Sequence, residues 1–103
     1  MIDIEHITKE NDMSKSKYYW KITWAATDID LGDRVGAEGP WNADTTLTAE
    51  PARFRMKDDD GIVYYKGVIY GDYEGFEPLD DFGMPDAGCV VIEYMTDGEW
   101  KML

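Results

Sequence analysis

Apolar and polar positions alternate most clearly between Ala52 and Tyr70, on either side of Asp58-Asp59-Asp60-Gly61. The period of two is that of a strand, in which successive side chains point to opposite faces. Asp60-Gly61 suits a two-residue turn, since both central residues of a type I′ turn need φ > 0. This predicts a hairpin with Lys57 opposite Tyr64 and Met56 opposite Tyr65. One face then carries Phe54, Met56, Val63, Tyr65 and Ile69, and the other Arg53, Arg55, Lys57, Tyr64, Lys66 and Val68. Because the faces differ so strongly, a one-residue slip would bury the cations, and the register is well specified.

Three other stretches fit strands. Tyr18 to Ala26 places Tyr18, Trp20, Ile22 and Trp24 on one face and Tyr19, Lys21 and Thr23 on the other. Its aromatic and β-branched residues suit a half-buried pleated surface. Cys89 to Met95 is a second apolar strand, and Trp20, Ile22 and Trp24 are expected to share a core with Val91 and Ile92 or their immediate neighbours. Asp97-Gly98 marks another tight turn, leading into Glu99 to Leu103. Between these lie a glycine-rich connection from Asp28 to Trp41, an ambiguous Asn42–Glu50 stretch with one possible helical turn stopped at Pro51, and a loop from Phe76 to Gly88. The expected fold is mainly β: a small antiparallel sheet, sandwich or half-open barrel of five or six strands with at most one short helix. Residues 1–16 read as a flexible polar lead-in and residues 17–103 as a single β-rich domain.

A chain of 103 residues with 44% hydrophobic positions can build one core without disulfides. Cys89 is the only cysteine and His6 the only histidine, so a disulfide, a cysteine pair for metal and a histidine-based triad all lack material. The start Met1-Ile-Asp-Ile-Glu5 lacks the basic-then-apolar order of a signal peptide, and no apolar run reaches membrane-spanning length. A cytoplasmic protein is expected.

The formal net charge of −12 changes the picture. Residues 72–103 contribute most of it, with nine acids against Lys101 alone. Such a field opposes nucleic acid and anionic membranes and favours basic proteins. The cations Arg53, Arg55, Lys57 and Lys66 beside Tyr64 resemble a single-strand-binding surface in type, but the net charge argues that they pair instead with carboxylates of their own chain.

Three carboxylate groups stand out: Asp28/Asp30/Asp33, Asp58-Asp59-Asp60 and Asp80-Asp81. The first lacks the ligand order and the twelfth-position glutamate of a calcium loop. The second is accounted for by a turn, which aspartate favours. No phosphate-cradling glycine loop and no Gly-x-Ser-x-Gly elbow is present. No catalytic residue, cofactor or metal ligand is therefore assigned.

Three segments carry a resemblance: Phe54-Arg-Met-Lys-Asp-Asp-Asp-Gly-Ile-Val-Tyr-Tyr-Lys-Gly67, Pro78-Leu-Asp-Asp-Phe-Gly-Met-Pro-Asp-Ala-Gly-Cys89, and Ile92-Glu-Tyr94 with Gly98-Glu-Trp-Lys-Met-Leu103. Together they resemble a family of small uncharacterised acidic proteins of actinobacteria, their phages and plasmids. The resemblance implies a mobile-element context and a rigid acidic loop at Pro78–Gly88, and brings no activity with it. Members have a longer helical insert before the Phe-Arg strand than Leu47–Pro51 allows here.

Small acidic phage proteins recur as inhibitors of nucleic-acid-binding defence machinery, with carboxylates standing in for phosphates. By that analogy the expected function is a non-enzymatic protein-binding module of anti-CRISPR or anti-restriction type. Its partner would be a basic host effector or nuclease, without direct nucleic acid or membrane contact, and the protein would be a monomer or homodimer. The partner-binding residues expected are Glu74, Phe76, Glu77, Asp80, Asp81, Phe82 and Asp86. The alternatives are a metal- or small-ligand-binding enzyme using the Asp80/Asp81 loop, and an accessory structural protein without catalysis.

Overall fold

The computed structural model describes residues 15–47 and 50–103. The lead-in expected over residues 1–16 thus falls almost wholly outside the described residues. Six strands among them form one antiparallel sheet: β1 (Tyr18–Ala25), β2 (Glu38–Gly39), β3 (Ala52–Lys57), β4 (Val63–Gly71), β5 (Val91–Thr96) and β6 (Glu99–Met102). Their order is β2-β1-β4-β3-β5-β6. The arrangement is an open sheet covered on one side, rather than a sandwich or barrel.

The β3–β4 hairpin lies at the centre, and Met56 faces Tyr65 as the alternation requires. Beyond Met56 the register shifts, so that Lys57 opposes Val63 rather than Tyr64. The turn is one residue longer than the Asp60-Gly61 pair suggested. The Gly61 N–H reaches the Asp58 carbonyl, Asp58 Oδ1 accepts from the Asp60 and Ile62 N–H groups, and Gly61 takes φ 84°. This is a four-residue turn closed by a left-handed glycine, the geometry of a three-residue hairpin loop. Asp97 (φ 54°) and Gly98 (φ 82°) form the expected tight pair between β5 and β6.

Trp20, Ile22, Phe54, Met56, Tyr65, Ile69 and Ile92 are buried on the covered face. Trp24 is not among them. Between Ile22 and Trp24 the pairing with β4 skips a residue, so Trp24 opposes Lys66 and turns to the open face, 41% exposed. A bulge adds one residue to one strand and reverses the alternation beyond it. Val91 opposes Lys57 and is only half-buried. Tyr64, expected beside the cations, is half-buried at the margin of the core.

The Phe76–Gly88 stretch is helical rather than loop. A π-helical turn, Leu79–Gly83, runs into α1 (Met84–Ala87), which ends at Gly88 with φ 76°. Leu79, Phe82, Gly83 and Ala87 recur at helical spacing and pack onto the covered face. Phe82 meets Trp20 and Tyr65 at ring separations of 5.4 and 4.9 Å. A Cβ on Gly83 would come within 2.5 Å of Met56 Sδ, so the absence of a side chain there is what allows the segment to lie against β3. The helical turn considered between Asn42 and Glu50 is absent from its described residues. Asp44 instead accepts from the Thr46 N–H in a local turn.

Candidate functional site

The sheet's two faces carry opposite chemistry. On the covered side, the segment from Gly71 to Ala87 sets carboxylates against aromatic donors of β1 and β4. Asp81 Oδ2 accepts from the Tyr18 hydroxyl at 2.8 Å and the Trp20 indole N–H at 3.0 Å. Asp86 Oδ2 accepts from the Tyr65 hydroxyl at 2.5 Å and pairs with Arg34 at 3.1 Å. Glu77 closes the preceding loop, accepting from the Glu74 and Gly75 N–H groups at 2.8 and 2.7 Å. Burial and the hydrogen bond to Asp81 raise the Tyr18 hydroxyl well above its ordinary range. Burial and Asp86 do the same at Tyr65.

The seven residues expected to contact a partner therefore divide. Asp81, Asp86 and Phe82 are engaged in fixing the helical cover to the sheet, and Glu77 in closing the loop before it. Glu74 and Asp80 are exposed without a cation partner among the described residues, and Phe76 is 48% exposed. Glu74 and Glu77 come together in a place the sequence did not mark. An open crevice of about 390 Å³ is lined by Lys17, Tyr18, Asp72, Tyr73, Glu74 and Glu77. Asp80 and Asp81 adjoin it closely enough to act on the charge of the Tyr18 hydroxyl. Lys17 is the one cation among the described residues of the lining. Carboxylates beside two tyrosine rings attract a guanidinium or ammonium group by both Coulomb and cation–π interaction. Asp72 and Tyr73 were missed because nothing in Gly71-Asp-Tyr-Glu-Gly75 except its charge separates it from an ordinary turn.

On the open side, Arg55 pairs with Glu93 at 2.6 Å and Lys57 with the same carboxylate at 3.1 Å. Burial opposes ionisation of Glu93, but these two cations outweigh it and hold its carboxyl below the ordinary range. The expected pairing of the basic stripe with the chain's own acids holds for these two. Lys66 instead lies 5.1 Å from the Trp24 ring centroid, and Arg53 lies 5.8 Å from that of Trp100, with Arg55 closer at 4.5 Å. Neither Lys66 nor Arg53 has a carboxylate partner among the described residues.

Asp58, Asp59 and Asp60 bring one carboxylate oxygen each within 4.8 Å of one another. Asp58 is already committed to the hairpin turn, where its backbone hydrogen bond to Ile62 leads in keeping its carboxyl below the ordinary range. Cys89 is buried, and desolvation pushes its thiol up to about 12, which leaves it protonated and unreactive at neutral pH. No helix among the described residues is long and apolar enough to cross a membrane. No family model, curated protein or solved structure matches this chain.

Proposed function

We propose that the protein is a non-enzymatic binding module that docks a basic protein at the acidic crevice around Tyr18. The observation that supports this reading most is the joining of Asp72, Glu74 and Glu77 with Tyr18 and Tyr73 in one open crevice. An arginine or lysine of the partner enters between the tyrosines, while Asp80 and the half-exposed Phe76 extend the contact along the helical cover. Glu77, held by the Glu74 and Gly75 N–H groups, has little conformational freedom left to lose on binding, which favours specific recognition over a diffuse attraction.

The class of partner follows from the charge. A nucleic-acid-handling protein presents arginines and lysines spaced for phosphates, and a cluster of carboxylates competes for them. In the mobile-element setting implied by the family resemblance, such a module serves as an inhibitor of host defence machinery of the anti-CRISPR or anti-restriction kind. The metal- or ligand-dependent alternative at Asp80/Asp81 gains less support, because Asp81 is taken up by Tyr18 and Trp20.

The test uses an Asp72→Asn/Glu74→Gln/Asp80→Asn variant, which leaves the structural carboxylates Glu77, Asp81 and Asp86 in place. Affinity for a nucleic-acid-binding host protein recovered on the wild-type chain should fall at least tenfold at low salt. The difference should shrink as salt screens the exposed charges. Duplex DNA should displace the wild-type protein from that partner. Equal affinity of variant and wild type at low salt would rule the crevice out as the docking site.

A further inference from the structure

We infer that the open face of the sheet is a second binding surface, and that its ligand is an extended acidic polypeptide segment. This goes beyond the crevice on the covered side, since it involves other residues and the opposite charge.

The pairing registers place the side chains of this face in rows. Trp24, Lys66, Arg55, Glu93 and Met102 are successive cross-strand neighbours from β1 to β6. Next to them, Lys21 and Arg53 flank Val68. With strands about 4.8 Å apart, Lys21 and Arg53 stand roughly 10 Å from each other across an apolar floor. Lys66 is two residues from Val68 and completes a triangle. None of the three has a carboxylate partner among the described residues. Among the described residues, the acids of this face are Glu93, shared by Arg55 and Lys57, and Glu38, which accepts from the Tyr19 hydroxyl and lies across from Lys21 without forming an ion pair with it, against five cations. What is left uncompensated on this face is positive, on a molecule of net charge −12.

The aromatic content is as unusual as the charge. Only Trp20 among the four tryptophans is buried. Trp24 and Trp100 lie on the open face beneath Lys66, Arg53 and Arg55. Trp41 is 93% exposed and borders a hollow shared with Tyr19, which stacks on Tyr70 at 5.8 Å. Tryptophan, tyrosine and arginine are the residues that dominate binding energy at protein interfaces. No strand or helix of the described residues covers them.

Both nucleic acid and acidic polypeptide would complement this charge. Three features favour polypeptide. Glu93 shows that this face already accommodates a carboxylate between two cations. The same Glu93, central on the sheet, would oppose a phosphate backbone crossing it. A chain with a few carboxylates is also repelled less by the molecule's net charge than a strand bearing a phosphate at every residue. An extended segment alternating acidic and apolar side chains sets its carboxylates on Lys21, Arg53 and Lys66 and its apolar groups on Val68, Trp24 and Trp41.

The test uses three fluorescein-labelled probes: a peptide of alternating glutamate and leucine, its glutamine counterpart, and single-stranded oligothymidylate of equal length. Fluorescence anisotropy should report saturable binding of the glutamate peptide and at least tenfold weaker binding of the other two. A Lys21→Ala/Arg53→Ala/Lys66→Ala variant, checked for an intact β-sheet circular dichroism spectrum, should lose that binding tenfold or more. If the triple variant does not fold, Arg53→Glu alone should give the same loss. The crevice variant Asp72→Asn/Glu74→Gln should bind the glutamate peptide as the wild type does, which separates failure here from failure of the crevice reading. Three results overturn the inference: no binding of the glutamate peptide, binding that survives removal of the three cations, or tighter binding of the oligothymidylate.

Discussion

Glu93 shows how one residue decides the chemistry of a whole face. It is nearly buried on a sheet surface otherwise open to water, and it satisfies two cations at once. Removing its charge leaves Arg55 and Lys57 facing each other without compensation. We expect Glu93→Gln to cost about 1–3 kcal/mol at neutral pH, the scale of a hydrogen-bonded charge lost from a desolvated site. The pH dependence carries a definite sign. Its folded pKa lies below the ordinary glutamate value of about 4.3, so its contribution is present above that value and is lost as pH falls through the lower folded pKa. Thermal melts of the wild type should therefore weaken more steeply below about pH 4 than those of Glu93→Gln, with Asp33, Asp44 and Asp58 adding a loss common to both. Parallel acid limbs for the two proteins would show that Glu93 is not held as described. The sequence marked this pairing in kind, because a cationic stripe on an acidic chain has nearby carboxylates to meet. It did not mark which cations would be left over, since that depends on the neighbours of β3 in the sheet.

Among the elements, the helical cover was the least legible. Two glycines, two prolines and four acids between Phe76 and Gly88 have the composition of a loop. The helical spacing of Leu79, Phe82, Gly83 and Ala87 was the contrary signal, overridden by that composition. Burial against Trp20, Met56 and Tyr65 makes the segment helical, and carboxylates on its inner edge fix its orientation. Asp81→Asn should accordingly act on stability rather than on partner charge alone. Loss of the charge-assisted bonds to Tyr18 and Trp20 should lower stability by about 1–3 kcal/mol, measured by denaturant unfolding. A variant as stable as the wild type would return Asp81 to the set of free surface acids. The hairpin, by contrast, was legible to within one residue, because its turn chemistry and alternation are both local. Trp24 was misplaced for an equally local reason. The bulge at Thr23 reverses the face of everything after it in β1, and no residue type there announces it.

At the scale of the molecule, six strands share one sheet whose two sides are unlike. The helical cover with its carboxylates lies on one side, and the cations of the central hairpin and three of the four tryptophans lie on or beside the other. The fold class followed from strand periodicity and turn spacing, but the choice of a single open sheet over a sandwich rests on pairings between residues far apart in sequence. Strand order has a further consequence, for the path by which the chain folds. The β3–β4 hairpin needs only the Asp58–Ile62 turn to close, whereas β1 and β5 join its two sides across much longer stretches of chain. Closing longer loops costs more entropy, and contacts between distant residues form slowly. The central hairpin, which buries Phe54, Met56, Tyr65 and Ile69, is thus the expected nucleus, whereas the equally local β5–β6 hairpin buries only Ile92 and Glu93 and gains less by forming early. Stopped-flow experiments should find that Phe54→Leu and Ile69→Val slow folding, while Trp100→Phe in β6 mainly speeds unfolding. The reverse pattern would place the nucleus at a sheet edge.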